Sequence, residues 1–207
     1  MFEYNKCKKC RRAGEKLFLK GERCFGQKCA MIRRPYIPGI HGKARRRQLS
    51  EYGRQLAEKQ KVRHAYGISE KQLKNYFKEI NEQRGNKGEL LLSKLEQRLD
   101  NIIFRLGWAS SRRLARQLIS HGHILVNGRK VNIPSYQMCK GNTIQIKERS
   151  KELNHFKNIE TLIKKYESPS WLLLDKDKLE GKMVDYPKAD ETIQVGEMGM
   201  IIEYYSR

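Results

Sequence analysis

A chain of 207 residues can build one large or two small cores, and 38% hydrophobic against 32% charged residues is polar without being the composition of a disordered polymer. The 44 Lys and Arg against 23 Asp and Glu leave a formal charge of +21, which concentrates a polyanion and releases its counterions on binding. No apolar run reaches spanning length, no signal peptide or lipidation motif is legible, and five cysteines are an odd number for a disulfide framework; a membrane surface is thus the poorer polyanion and a cytosolic nucleic-acid binder the better one.

Residues 1–30 hold Cys7-x2-Cys10, then thirteen residues, then Cys24-x4-Cys29. Each pair can sit on a tight turn, and two such knuckles present four thiolates to one tetrahedral ion. Lys8, Lys9, Arg11, Arg12, Arg23 and Lys28 would offset the formal charge of four thiolates and lower the thiol pKa values. The segment is too small for an apolar core, so metal would supply its folding energy. One Zn2+ is favoured, with an iron–sulfur cluster as the alternative. Free cytosolic cysteines and a redox C-x-x-C are the weaker readings, since a redox pair needs no second pair at metal-like spacing. Cys139 has no partner nearby and reads as a small packing residue.

Residues 31–49 carry Arg33, Arg34, Lys43, Arg45, Arg46 and Arg47 among two prolines and two glycines. That composition denies a regular element and reads as a basic extended arm ordered by phosphate. His41 reads as a loop residue or an RNA contact, because four cysteines already complete a metal site. From Ser50 the chain is largely helical. Tyr52, Leu56 and Val62 mark a first helix closed at Tyr66-Gly67. Ser69 with Gln72 forms a capping box that introduces Leu73, Tyr76, Phe77 and Ile80. Tyr76 and Phe77 could stack on bases, but their spacing makes them core.

Residues 92–147 are the most informative. Leu92, Leu95, Leu99, Ile102, Ile103 and Leu106 share one helical face, with Lys94, Arg98, Asn101 and Arg105 on an adjacent polar one. Gly107 ends that helix and Ser110 or Ser111 caps the next. There Leu114, Ala115, Leu118 and Ile119 face one way, and Arg112, Arg113, Arg116 and Gln117 the other. His121, His123, Asn127 and Lys130 follow, and no acid occurs between Arg112 and Glu148. A solvated face usually mixes signs; this one reads as a polyanion surface. Asn127-Gly128 between apolar runs predicts a two-residue hairpin, and Thr143 to Lys147 alternates as a strand does. Beyond it, 152–166 predicts a helix with Leu153, Phe156, Leu162 and Ile163 inward. Residues 168–174 read as a turn and short strand, and 175–192 as loops with one further short strand. Met198, Ile201, Ile202 and Tyr205 predict a last helix that returns to the N-terminal ones.

The runs Arg98-Leu99-Asp100, 109–119 and 122–128 closely resemble the small alpha-L RNA-binding module, which occurs in several host families. The cysteine segment with 19–24, Arg33-Arg34-Pro35-Tyr36, Pro38-Gly39, His41-Gly42, 49–53, Gln55-Leu56, 58–61, Tyr66-Gly67 and the ending 203–207 are similar, in order, to bacterial-type ribosomal protein four of the small subunit. The resemblance covers essentially the whole chain. It implies an α+β fold: a four-cysteine knuckle and basic arm over 1–48, a helical domain over 49–93 completed by 190–207, and an inserted domain over 94–189 with the RNA module at 94–148. It implies a non-enzymatic, primary binder of small-subunit ribosomal RNA that nucleates assembly of the body and contributes to translational accuracy. Its expected neighbours are small-subunit ribosomal proteins, notably protein five, and some members also bind their own mRNA. The expected location is the small ribosomal subunit in the cytoplasm, or in an organelle. A departure from the family pattern lies at 189–200, where Gly196 and Gly199 would loosen the chain. An RNA-modifying enzyme would need a catalytic motif, and none is legible: Asp175 and Asp177 lie in a lysine-rich loop. A zinc-dependent DNA regulator would need a recognition helix between its ligand pairs, which is absent.

Overall fold

Three serine hydroxyls start the helices that organise the chain. Ser50 Oγ accepts the Gly53 N–H at 3.2 Å, Ser69 Oγ that of Gln72 at 3.2 Å, and Ser111 Oγ that of Leu114 at 3.3 Å. Each satisfies a donor that the first helical turn leaves without a partner. The computed structural model describes residues 6–44, 48–153, 155–156, 159, 163, 166–188 and 195–207. It divides into two units, residues 1–91 with 194–207 and residues 92–193. The α+β class expected from the sequence holds.

In the first unit, α1(Lys6–Ala13), a 3-10 turn (Gly21–Cys24) and α2(Ala30–Arg33) carry the cysteines. They precede α3(Glu51–Tyr66), α4(Glu70–Asn81) and the start of α5(Lys87–Glu96), and a C-terminal helix (Met198–Ser206) returns to this unit. α4 buries Leu73, Tyr76, Phe77 and Ile80, and Phe77 stacks on Tyr205 at 5.1 Å. The face of α3 differs from the expected one. Val62 is buried, but Tyr52 is exposed and Leu56 only half-buried, while Gln55 and Lys59 are buried. Polar groups of the neighbouring helices make that possible. Gln55 Nε2 donates to Glu203 Oε2 at 3.0 Å, and Lys59 Nζ to Glu70 Oε1 at 2.7 Å. Lys59 Nζ also lies 4.2 Å from the Tyr204 ring centroid. Gly196 does not loosen the chain. With φ +81 it lets the backbone approach α3, where a Cβ would stand 3.1 Å from Glu58 Oε2 and 3.2 Å from Val62.

In the second unit, α6(Leu99–Arg105) and α7(Arg112–Ser120) are followed by an antiparallel sheet of β1(Ile124–Val126), β2(Arg129–Lys130), β3(Thr143–Ile146), β4(Leu172–Asp175) and β5(Glu180–Met183), in the order β2-β1-β3-β5-β4. A single turn, α8(Glu148–Lys151), follows β3. Asn127 (φ +49) and Gly128 (φ +75) both take left-handed conformations, as the tight hairpin requires. Ile102, Trp108, Ile119, Ile144, Phe156 and Trp171 lie in one core cluster with the rest of the apolar faces.

Two expectations fail here. The single helix expected across 92–106 is two helices. Arg98 is extended (φ −65, ψ 136) and bridges to Gln137, Met138 N–H donates to Gln97 O at 2.9 Å, and the Leu99 and Asp100 N–H groups donate to Tyr136 O and Pro134 O. A loop distant in sequence supplies the partners that a continuous helix would have provided internally. After α8, helical Phe156, Ile159 and Ile163 are buried as their spacing requires, but Leu153 is exposed, and Leu162 lies outside the described residues.

Candidate nucleic-acid interface

The break before α6 decides where the arginines of this region point. Arg98 is fully buried; its Nε and Nη2 donate to the two Asp100 carboxylate oxygens at 3.0 and 2.7 Å. Arg105, also buried, donates through Nε and Nη2 to Glu96 at 2.9 and 2.8 Å. Asn101 Nδ2 reaches Glu96 Oε2 at 2.7 Å, and Arg112 Nε reaches Asn101 Oδ1 at 2.7 Å with its guanidinium 4.7 Å over the Phe104 ring. Paired forks of this kind satisfy charges that burial would otherwise penalise severely. Arg98 and Arg105 are therefore internal struts, a correction to their expected role in RNA binding. Arg112 is largely committed to the same network. Glu96 and Asp100 were the signal for this, lying just before the acid-free stretch.

The outward face of α7 is different. Arg113, Gln117 and His121 are exposed at successive turns. Arg116 is partly exposed, its Nε 3.8 Å from Asp100 Oδ2. Just beyond, Lys130 is exposed on β2, its aliphatic stem laid over Gly122, where a Cβ would collide with Lys130 Cε. The position after the hairpin turn, Arg129, is exposed beside it; Lys147 is exposed too, as is Lys140, which pairs with Asp185 at 3.2 Å. Scanning helix faces misses these three; the absence of acids across the whole run would have found them. His123 is half-buried, its Nδ1 2.9 Å from Ser150 Oγ and its ring 5.9 Å from that of His121. Burial, then the charges of His121, Lys147, His155 and Lys130, hold its pKa below the ordinary imidazole value. Asn127 is exposed, but its Oδ1 accepts from the Thr143 N–H at 2.8 Å and so ties the hairpin turn to β3.

In the first unit, Arg33, Arg34 and Lys43 are exposed, while Arg45, Arg46 and Arg47 lie outside the described residues. The segment from Arg34 to Ala44 is not simply extended. Arg11 Nε donates to Tyr36 O at 2.8 Å with its guanidinium 4.7 Å over the Tyr36 ring, and Gly42 N–H closes a turn onto Gly39 O at 3.2 Å. A Cβ at Gly42 would collide with Ile37 O. The arm is a braced loop, and Ile40 at its tip is 97% exposed.

Cys7, Cys10, Cys24 and Cys29 line one small cavity together with Lys20, Arg23 and Lys28. Cys24 Sγ accepts the Lys20 N–H at 3.3 Å. The donor set suits a thiophilic ion in kind. However, among the described residues no three His, Cys, Asp or Glu side chains are grouped to hold a metal, so the four-cysteine knuckle expected from the sequence is not supported by this arrangement. The expected lowering of thiol pKa also fails at Cys10, which is pushed up by burial first and then by Cys24, Cys7 and Cys29. Cys139 is exposed, against its expected packing role. Asp175 Oδ1 accepts the N–H groups of Asp177 and Lys178, each at 3.1 Å, so that carboxylate shapes the β4–β5 turn. No described helix is long and apolar enough to cross a membrane.

Comparison with known proteins extends these observations. Residues 2–96 match the family described as ribosomal protein S4/S9 N-terminal domain, and residues 97–144 match the S4 domain. The small ribosomal subunit protein uS4 of Syntrophomonas wolfei is 47% identical over 97% of this chain and 96% of its own length. Those of Halothermothrix orenii and Thermus thermophilus are 50% and 49% identical, each over 97% of this chain and 96% of their own length.

Proposed function

Since this chain belongs to the family of the small ribosomal subunit protein uS4, we propose that it is a structural, non-enzymatic constituent of the small subunit that binds its ribosomal RNA. The observation that carries this reading is the outward cationic face of α7 with β2: Arg113, Gln117, His121, Arg129 and Lys130 are exposed in a run that contains no acid. A-form RNA hides its major-groove edges, so such a face grips phosphates and junction shape instead of reading a base sequence. The exposed Arg33, Arg34 and Lys43 of the other unit supply a second cationic contact, and Arg45, Arg46 and Arg47 extend it in sequence. The family resemblance further implies a role in nucleating the body of the subunit and an influence on translational accuracy beside ribosomal protein five, and the protein's own mRNA is a further RNA partner in this proposal. The test is cosedimentation of the purified protein with small-subunit ribosomal RNA, and with subunits depleted of this protein. Stoichiometric recovery is expected; free protein at the top of the gradient at low salt overturns the reading.

Within the same reading, Cys7, Cys10, Cys24 and Cys29 close on one Zn2+ that stabilises the N-terminal segment. Four sulfur donors around one cavity and the N–H aimed at Cys24 Sγ support this. Elemental analysis of protein purified under reducing conditions without chelator is expected to give one zinc per chain, and no zinc removes the site. Iron with visible absorbance would assign a cluster instead.

A further inference from the structure

We propose that Phe25, backed by Phe18, is a stacking platform for an unpaired base of the ribosomal RNA. This deepens the ribosomal reading above and rests on it. Phe25 sits between two buried cysteines, Cys24 and Cys29, yet its own side chain is 71% exposed. Single exposed apolar side chains are ordinary, and Ile40 is another; what sets Phe25 apart is an exposed flat ring braced by a second ring. The ring is nonetheless held in place. Its centroid is 5.0 Å from that of Phe18 at an interplanar angle of 31°. The Phe25 N–H donates to Glu22 O at 3.1 Å, and the Cys29 N–H closes the following turn onto Gly26 O at 3.1 Å. Phe18 takes φ +50, a left-handed conformation that is unfavourable for a bulky residue. The backbone thus accepts strain at the residue whose ring supports Phe25, and strain of this kind clusters at functional positions.

The surroundings select the occupant. Lys20, Arg23 and Lys28, neighbours of Phe25 in sequence, are exposed, with Glu22 the one acid of the stretch 20–28. Cations beside an open aromatic face match a nucleotide, whose phosphate takes the charge and whose base takes the ring. Bases inside a duplex are already stacked, so the ring selects a splayed or junction base. Stacking is indifferent to base identity, which suits a protein that recognises shape.

The test compares Phe25→Ala, Phe25→Leu and Phe25→Trp in the full chain, by filter binding to small-subunit ribosomal RNA over a salt series. Leu keeps apolar volume against Phe18 but has no π-face. The expected result is that Ala and Leu both weaken binding by about tenfold, in line with a lost base–aromatic stack, while Trp retains it. The slope of affinity against salt stays unchanged, because no phosphate contact is lost. Thermal unfolding of each variant accompanies the measurement; if Phe25→Ala fails to fold, the Leu and Trp variants decide. Leu binding as tightly as the parent overturns the proposal, since the ring would then be only apolar packing. A lower salt slope in the Leu variant also overturns it. If the parent itself ignores ribosomal RNA, the ribosomal reading falls and this proposal with it, an outcome distinct from a parent that binds and a Leu variant that matches it.

Discussion

Arg98 and Arg113 are the same side chain in one basic stretch and do opposite work. Arg98 is buried in a two-point pair with Asp100, whereas Arg113 faces solvent on α7. Arg98→Ala strips a buried carboxylate of its two-point partner, leaving Arg116 at 3.8 Å, and is expected to cost about 3–5 kcal/mol in urea unfolding. Changing both partners, Arg98→Met with Asp100→Leu, should recover most of that loss, because no charge remains buried. If the double variant is as unstable as the single, charge pairing is not what Arg98 supplies. Arg113→Ala should leave unfolding within about 0.5 kcal/mol of the parent. It should weaken binding to ribosomal RNA and reduce the salt slope by roughly one. An unchanged slope in filter binding removes Arg113 from the interface. Both arginines were legible as cations in the sequence. Their directions were not, because a helical face says nothing about which acid lies behind it.

At the scale of elements, Glu70 ties α4 to α3 and to the C-terminal helix. It accepts from Lys59 Nζ at 2.7 Å and from Tyr205 Oη at 2.8 Å, and lies 3.8 Å from Arg63. Burial alone would raise its pKa; the hydrogen bonds from Lys59 and Tyr205 and the charges of Lys59 and Arg63 outweigh it and hold the carboxyl below the ordinary carboxylate value. Burial, and then Glu70 itself, push the Tyr205 hydroxyl upward, so it remains a donor. A depressed folded-state pKa adds stability that is complete above the unfolded carboxylate pKa. It is lost as pH falls through the lower folded value. The melting temperature should therefore drop through the acid range below the ordinary carboxylate pKa, and Glu70→Gln should flatten that part of the curve while lowering the plateau. A curve identical to the parent's would exclude Glu70 as the acid-sensitive tie. The elements themselves were largely readable in advance. Ser50, Ser69 and Ser111 cap where their hydroxyls predict, and Asn127-Gly128 turns as its dipeptide requires. The buried face of α3 was not readable, since Gln55 and Lys59 are hidden only because Glu203, Glu70 and Tyr204 stand opposite.

For the whole molecule, the formal charge of +21 governs how it meets RNA. Each phosphate neutralised by Arg or Lys releases condensed counterions, so affinity for ribosomal RNA should fall steeply with salt. A loss of about 10^3-fold between roughly 50 and 200 mM monovalent salt corresponds to about six phosphates. That is comparable with the exposed cations named in the two units. A nearly flat dependence in filter binding would mean that apolar and neutral contacts dominate and that the cationic face is incidental.

Features that are local or additive can be read along the chain alone. Hydroxyl caps, a turn that demands two left-handed residues, four thiols at metal-like spacing, the summed charge and the family resemblance each depend on neighbours along the chain or on composition alone. Tertiary structure decided what depends on distant neighbours. The loop at 134–138 takes the backbone donors of Leu99 and Asp100, divides one apparent helix into two, and leaves Asp100 and Glu96 buried beside Arg98 and Arg105. A buried charge survives only with its partner in place. Where that partner stands is a property of the fold, so only the fold separates the guanidiniums that hold the protein together from those left to hold RNA.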